Sequence, residues 1–454
     1  MNHSVAEAST ASVNVLTEHG EGIRRALAAV AAGRPPTADF APAFALPEPS
    51  ERLSEFFAAT DFRFAGLGTV GPVRLHLLDL MGNPGTRTVK SLASHVIVAR
   101  AVEHIDRTGE AVMIFTPSSA NKATALRDAV LRAYRTGLAD PERLRIVTVV
   151  PDAARPKLWA SHLADDPNLA ARNPVCVLDG EHPGHVKTVV LRALEESAPE
   201  LFARYGFRLW HTLELDNYRS ADAVRAFAED AVLPADNGAV RVHAHAVSSA
   251  FGLLGHHFGT TLSPARARPP QYFLVQHLAT PDMVQSLYGT PAPAYRFDPD
   301  TGLHHQDEDP HYPRTTFSTG EDLETTFYTR APATSAAMNR LIRGNGGGGV
   351  VVSLHECLGR YGEIRALLAR AGTALPADPR ALREWSLVMV MTGVLNGIDR
   401  GLVQADEVVV HGSGSYSADD FVPLSGPAVR DVAGVADVRS VLLDAASAGL
   451  GAAG

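Results

Sequence analysis

An α/β fold built on parallel sheets is what this sequence predicts, and three features predict it. From about residue 73 onward, short apolar runs of strand length alternate with helix-length segments. The turns that join them are dense in Gly, Pro, Ser and Asn. The 454 residues are 45% apolar and 20% charged, the composition of a globular chain with ample material for a core. Alternation of this kind argues for right-handed βαβ units.

The elements follow in order. Residues 1–60 read as an N-terminal arm, with a helical pattern near Gly22–Ala32, a Pro-rich linker from Arg34-Pro35-Pro36 to Pro47-Glu48-Pro49, and a short helix from Ser50. Val73–Leu80 is strand-like, Gly82–Thr88 a turn, and Val89–His104 carries apolar residues at helical spacing. The unit then recurs. Ala111–Thr116, Leu144–Pro151 and Val175–Asp179 are strands, with helices at Lys122–Thr136, Lys157–Leu163 and His185–Glu196. Further on, Val240–Val247 and Tyr272–His277 are strands, Ser248–Gly259 and Ala381–Asp399 are helices, and Glu407–His411 is a strand entering a Gly-Ser-Gly turn. Tyr295–Arg330 is polar and turn-rich, and is expected to be a lid over a pocket.

Charge and cysteine content exclude several classes. Lys and Arg total 41 against 50 Asp and Glu, a formal net charge of −9, so neither nucleic acid nor an anionic membrane is an expected partner. Cys176 and Cys357 allow one bridge at most and no cysteine-based zinc site. The first residues lack a basic segment followed by an apolar run, and the most apolar later stretch, Trp385–Leu395, is too short to span a bilayer. A soluble cytoplasmic protein is expected. Lysine is scarce: Lys90, Lys122, Lys157 and Lys187 are the only candidates for amine chemistry, and the last two read as surface helix residues.

Strand-to-helix turns present free N–H groups and a partial positive charge to small anions. Three stand out, Asn83–Lys90, Ser118–Asn121 and His411–Ser415, with Val247–Ala250 a fourth. Their order resembles the fold-type II pyridoxal-phosphate enzymes, and most closely threonine synthase. That family's Asn-Pro-Thr-Gly-Ser-Phe-Lys-Asp appears here, one residue longer, as Asn83-Pro84-Gly85-Thr86-Arg87-Thr88-Val89-Lys90-Ser91. Its Ser-Ser-Gly-Asn appears as Ser118-Ser119-Ala120-Asn121, its Asn-Pro-Tyr-Arg as Asp216-Asn217-Tyr218-Arg219, and its Thr-Gly-x-Gly as His411-Gly412-Ser413-Gly414. The similarity spans roughly residues 70–420 in order.

The resemblance implies a tryptophan synthase beta-like architecture: two domains, each with a mainly parallel twisted sheet flanked by helices, and pyridoxal 5'-phosphate in the cleft between them. It divides the chain into the arm 1–60, a large cofactor-binding domain of 61–105 and 216–440 with a lid-like insertion at 295–330, a small domain 106–215, and a tail 441–454. Lys90 is implied as the catalytic and cofactor-bearing lysine, with Lys122 the runner-up. Asn121, Ser248, Ser249, His411 and Ser413 are implied in cofactor binding, and Thr88, Ser118, Ser119, Glu214 and Arg219 in substrate binding. Each has a plainer alternative: helix capping for the Ser and Asn residues, and a core histidine for His411. A homodimer acting on an amino acid is also implied, with no metal, no nucleic acid and no membrane.

Departures from the pattern matter as much. Leu213 and Glu214 stand where threonine synthases carry Asn-Ser near the substrate phosphate. A carboxylate there would be repelled by roughly 1–4 kcal/mol at ~4 Å. O-phosphohomoserine is therefore not the expected substrate, and α-proton abstraction with β- or γ-elimination or replacement on another α-amino acid is. The missing glycines at Ser248-Ser249 and the His at position 411 leave a second reading open, a non-catalytic descendant that binds a ligand or partner. Gly346–Gly349 precedes the apolar run Val350–Ser353 instead of following a strand, and is not read as a phosphate loop. His304, His305, Asp307, Glu308, Asp309 and His311 match no metal-ligand spacing and read as solvated, as do His243, His245, His256 and His257.

Overall fold

A computed structural model describes residues 11–35, 39–180, 184–233, 238–263 and 268–449. Pro36 of the expected linker, and the ends of the arm and tail (residues 1–10 and 450–454), lie outside the described residues. Strands in chain order are β1 (Ala11–Val13), β2 (Phe62–Val70), β3 (Val73–Asp79), β4 (Ala111–Pro117), β5 (Leu144–Pro151), β6 (Val175–Leu178), β7 (Phe207–His211), β8 (Arg241–Ala246), β9 (Gln271–His277), β10 (Arg296–Asp298), β11 (Leu303–His305), β12 (Thr315–Thr316), β13 (Gly347–Val352), β14 (Glu407–Gly412) and β15 (Val429–Val432).

The chain forms two units, and they group it differently from the expected boundaries. Among the described residues, one comprises 11–13, 61–82 and 225–419, the other 14–60, 83–224 and 420–449. The first carries a seven-stranded sheet in the order β1-β2-β3-β14-β8-β9-β13. Its β3, β14, β8, β9 and β13 run parallel, and β1 and β2 add an antiparallel margin. Strands buried on both faces read as continuous apolar runs, which is why Val408–Val410 and Val350–Val352 look alike in sequence. Helices Leu354–Arg370 and Ser386–Asp399 bury Ile364, Leu368, Val390 and Val394 with the sheet's Leu75, Val275 and Val410.

The second unit holds a five-stranded sheet, β15-β6-β5-β4-β7, parallel throughout. Helices His185–Tyr205 and Val435–Ser447 bury Val189, Val190, Val438 and Leu442 against Phe115, Val147 and Leu209. A second cluster, with Ala120, Ala123, Ala154, Val150 and Val177, also packs on this sheet. The expected tail, from residue 441, thus begins inside the helix Val435–Ser447 of this unit, and the strand β15 before it also belongs here. The helix's apolar residues at 438, 441, 442, 445 and 446 already follow the i, i+3, i+4 rule. From Asn14 on, the arm joins the same unit: Arg24 donates to Leu46 O at 3.1 Å and Arg100 to Ala43 O at 2.9 Å.

Two expectations change form. Lys157–Leu163 is not a helix; a 3-10 turn covers Asp152–Lys157, Trp159 bridges to Pro423, and Lys157 is buried. The polar insertion has structure of its own, an antiparallel β10-β11-β12 sheet. Val351 N donates to His311 O at 2.8 Å, so the segment that follows β11 covers the outer edge of β13. Covering an edge satisfies N–H groups that would otherwise template pairing with another chain. Among the described residues no helix is long and apolar enough to cross a membrane.

The glycine run belongs to that same strand, because β13 approaches β9 too closely for side chains. A Cβ on Gly347 would stand 2.1 Å from Tyr272 O, at a φ of +110°. Overpacking and backbone strain then add, and Gly347→Ala is expected to cost about 2–5 kcal/mol. Chemical denaturation would read this as a lowered midpoint; a midpoint within error of wild type would contradict the packing.

Candidate active site

The turn before Lys90 is shaped by one amide. Asn83, buried, donates from Nδ2 to Ser91 Oγ at 3.1 Å and to Asp128 Oδ2 at 2.8 Å. Its Oδ1 accepts from Gly85 N at 2.9 Å and from Arg132 Nη2 at 3.1 Å. Its main-chain oxygen accepts from Thr86 N and Arg87 N. Thr86 Oγ1 and Ser91 Oγ share a 2.6 Å hydrogen bond that ties the far side of the turn to the helix Lys90–Thr108. Gly85 is required, since a Cβ there would stand 2.5 Å from Asp128 Oδ1. Lys90 is the first residue of that helix and is half-buried. Thr88 Oγ1 is buried with no hydrogen-bond partner among the described residues.

The neighbouring turn is strained. Ala120 has φ +67° and ψ −64°, and Asn121 N donates back to Ser119 O at 2.9 Å. That is a γ-turn of the positive-φ kind, which side chains rarely adopt. Ser118 Oγ accepts from Ala123 N at 2.6 Å, so this hydroxyl caps the helix Asn121–Arg135 and keeps its proton for another acceptor. Ser119 is half-buried and Asn121 buried. Lys122 lies directly beyond, 6% exposed, its Nζ donating to Thr116 Oγ1 at 2.7 Å. Burial first, then the charge of Lys90, holds its ammonium well below the usual lysine range.

Glu214 and Arg219 take other partners. Glu214 pairs with Arg34 at 2.8 Å, which neutralises the carboxylate seen in the sequence as a repulsive element. Arg219 sits on the helix Leu215–Asp222 and pairs with Asp216 at 3.1 Å. Asn217 is the structural residue of that motif: it is buried, bonded to the Arg100 guanidinium, and donates to Thr212 O at 2.9 Å.

In the other unit, Ser248 and Ser249 are half-buried and precede the twelve-residue helix Phe251–Leu262. Ala250 caps it at φ +53°. The Arg225 guanidinium, fully buried, lies against its first turn: a Cβ on Gly252 would be 2.6 Å from Nη2. Ser413 is buried in the turn after β14, and its Oγ has no partner among the described residues. Gly414 beside it is held by Glu384, whose Cγ would stand 2.8 Å from a Cβ.

His411 is wholly buried, and the histidines read as solvated are part of its surroundings. The ring nitrogens of His243, His256 and His411 lie within 4.8 Å of one another. Arg225 Nη1 approaches His411 Nδ1 at 3.4 Å, and His411 Nε2 meets His243 Nδ1 at 3.1 Å. A guanidinium only donates, so His411 accepts at Nδ1 and carries its proton on Nε2. Burial, then the neighbouring histidines and Arg225, keep it neutral. His256 bonds Tyr272 Oη at 2.9 Å and Glu229 Oε2 at 2.8 Å. The three nitrogens have the spacing of a metal site, but an ion there would displace the Nε2 proton beside a guanidinium. The hydrogen-bonded chain is the arrangement these charges favour. The sequence signal that was available is alternation: His243 and His245 occupy one face of β8, a face that a helix covers.

Among solved structures the fold is similar to three described as follows. A pyridoxal-phosphate-bound threonine synthase from Brucella melitensis is 12% identical, with a TM-score of 0.48 over 82% of this chain and 78% of that one. A pyridoxal 5'-phosphate-dependent aspartate racemase is 12% identical, at 0.49 over 89% and 98%. An L-serine ammonia-lyase from Rhizomucor miehei is 13% identical, at 0.46 over 76% and 90%. No curated protein matches the sequence. Residues 11–446 match a family of unknown function, DUF6002, and the chain belongs to that family.

Two outcomes follow from the local geometry. Replacing Ala120 by Gly removes a strain of about 1–3 kcal/mol and adds about 0.4–1 kcal/mol of unfolded-state entropy, so Ala120→Gly should stabilise by around 1 kcal/mol in denaturant titrations; a lower midpoint would speak against the strained turn. His95 Nδ1 donates to Ser91 O at 2.8 Å, and burial pushes its pKa down to about 4. The unfolded chain, at about 6.5, therefore binds the proton first, and stability falls as pH drops from about 6.5 toward 4, by as much as about 3 kcal/mol from this residue. A His95→Gln variant should lose that part of the slope; an unchanged slope would refute the assignment.

Proposed function

We propose that the protein is a pyridoxal-phosphate-dependent enzyme acting on an α-amino acid. What carries the reading is the ordered set of four turn motifs, with Lys90 opening a helix behind a turn locked by Asn83. The residues present fit such a cofactor. Thr88 Oγ1 and Ser413 Oγ are buried hydroxyls without partners among the described residues.

When bound, the cofactor supplies an aldehyde for an amine and a ring that accepts an electron pair. Lys90 Nζ would hold the aldehyde and, once released, take up the substrate's α-proton. Ser118, Ser119 and Asn121 would hold the α-carboxylate through hydroxyl and N–H donors at a helix start. Ser248, Ser249, the free N–H groups of the helix Phe251–Leu262 and the Arg225 guanidinium offer donors and positive charge for a phosphate. Ser413 Oγ is the better candidate for the ring nitrogen, since both nitrogens of His411 are engaged by Arg225 and His243. Thr88 and Arg219 remain candidates for the substrate side chain. Glu214, paired with Arg34, would act there only after exchanging partners. The reaction is a β- or γ-elimination or replacement by a homodimer; with Glu214 paired to Arg34, the repulsion that spoke against O-phosphohomoserine is removed.

A second reading, a ligand-binding protein without turnover, draws on the closed surroundings of His411 and on the alanines at positions 120 and 250. Purified protein with added pyridoxal phosphate should show a band at about 410–420 nm, the absorption of a lysine-bound cofactor. Borohydride reduction and peptide mapping should then find the pyridoxyl group on Lys90 in the wild type. No band, or attachment to another residue, overturns the reading. Spectral change on adding amino acids favours the enzyme over the binding protein.

A further inference from the structure

We propose that Lys122 is a second functional amine, a nucleophile that captures a small carbonyl compound. The inference does not need the cofactor, but it shares Lys90 with the function above, as a neighbouring positive charge.

Geometry carries it. Lys122 Nζ has one hydrogen-bonding partner, Thr116 Oγ1 at 2.7 Å, and no carboxylate within ion-pairing distance among the described residues. An ammonium offers three N–H groups and a full charge, and burying it with one neutral acceptor is expensive. A neutral amine needs only that single bond. The face of the Tyr218 ring stands 5.5 Å away and supplies an apolar wall. A resident ion pair would instead tie up the lone pair on nitrogen.

The charged and titratable groups that face it favour the same state. Lys90, at the start of the adjacent packed helix, and Lys187 both oppose a charge on Lys122. Glu214 favours one, but is paired with Arg34. His211 at the end of β7 is itself pushed down to about 4, by burial first, and offers no negative charge in either state. The Tyr218 hydroxyl is pushed up by burial and stays protonated. A desolvated lysine beside a second cation is a recognised route to an amine that attacks carbonyls at neutral pH. The step balances: the Nζ lone pair forms a bond to the carbonyl carbon, the two N–H protons leave with the carbonyl oxygen as water, and a C=N bond remains.

The test uses glyoxylate, trapped with cyanoborohydride on the full-length folded protein and mapped by mass spectrometry as carboxymethyl-lysine. Lys122 should be labelled, at a rate that changes less than about twofold from pH 9 to 7.5. Lysines of the urea-unfolded protein should slow about tenfold per pH unit below their ordinary value. Lys90→Ala should restore part of that pH dependence at Lys122, whereas Lys90→Arg, which keeps the charge, should not. Absence of label on Lys122 in the folded protein, or a profile parallel to the unfolded chain, overturns the proposal. Labelling of Lys122 with no cofactor band anywhere would leave this proposal standing and remove the cofactor reading; a cofactor on Lys90 with an inert Lys122 would do the reverse.

Discussion

The Asn83 side chain is the contact on which the Lys90 turn depends. A primary amide has donors and acceptors on one rigid plane, so it can tie a turn to two helices at once. Asn83 does this with Gly85, Ser91, Asp128 and Arg132. Arg132 in turn pairs with Asp128 at 2.8 Å, which fixes the carboxylate that excludes any side chain at position 85. Aspartate in place of Asn83 would lose both donors and set a second carboxylate beside Asp128. The network holds the turn rigid up to Lys90, the first residue of the helix. Arg87 stands in that turn at φ +46° and pairs with Asp420 at 3.0 Å.

Backbone strain gathers at these turns. Described non-glycine residues with positive φ are Arg87, Ala120, Ala250 and Ala331, and the first three lie in strand-to-helix connections that the motif comparison singles out. At positions 120 and 250 the chain keeps the conformation glycine would supply while carrying a methyl group. Both alanines are buried and packed. Surrounding structure overdetermines these conformations, which is how such strain persists.

Charge burial in the other unit follows a different rule. Arg225, His411, His243, Glu229, His256 and Arg241 lie in the interior of the sheet and its covering helix. Glu229 receives Arg241 at 2.8 Å and His256 at 2.8 Å. Buried charges are tolerated only in such pairs, and the neutral His411 links the Arg225 guanidinium to His243 without adding charge. Lys122 is the contrasting case, a lysine side chain buried without a counter-ion among the described residues, where burial disfavours the ammonium.

Sequence by itself determined the turns and most of the parallel strands, though not β2, β7, β15 or the small β10-β11-β12 sheet. Leu144–Pro151 is bounded identically in both readings, and the strands around residues 75, 114, 244, 274 and 409 are where apolar runs demanded them. Periodicity and turn chemistry act over a few residues, so they are written locally. The motif residues were legible for the same reason, and Lys90 does open a helix. What tertiary structure decided was everything that depends on which surface meets which. The terminal segments 14–60 and 420–449 complete one unit because helix faces such as Val438, Leu442 and Ala445 needed a sheet to cover, a choice no local pattern encodes. Burial of Lys157, Lys122 and the histidines was likewise invisible, since a polar residue on a strand or helix reads as solvated until another element covers it. Protonation is set by that covering, by the loss of water around a charge, and so the chemistry of Lys122 and His411 belongs to the fold rather than to the string of residues.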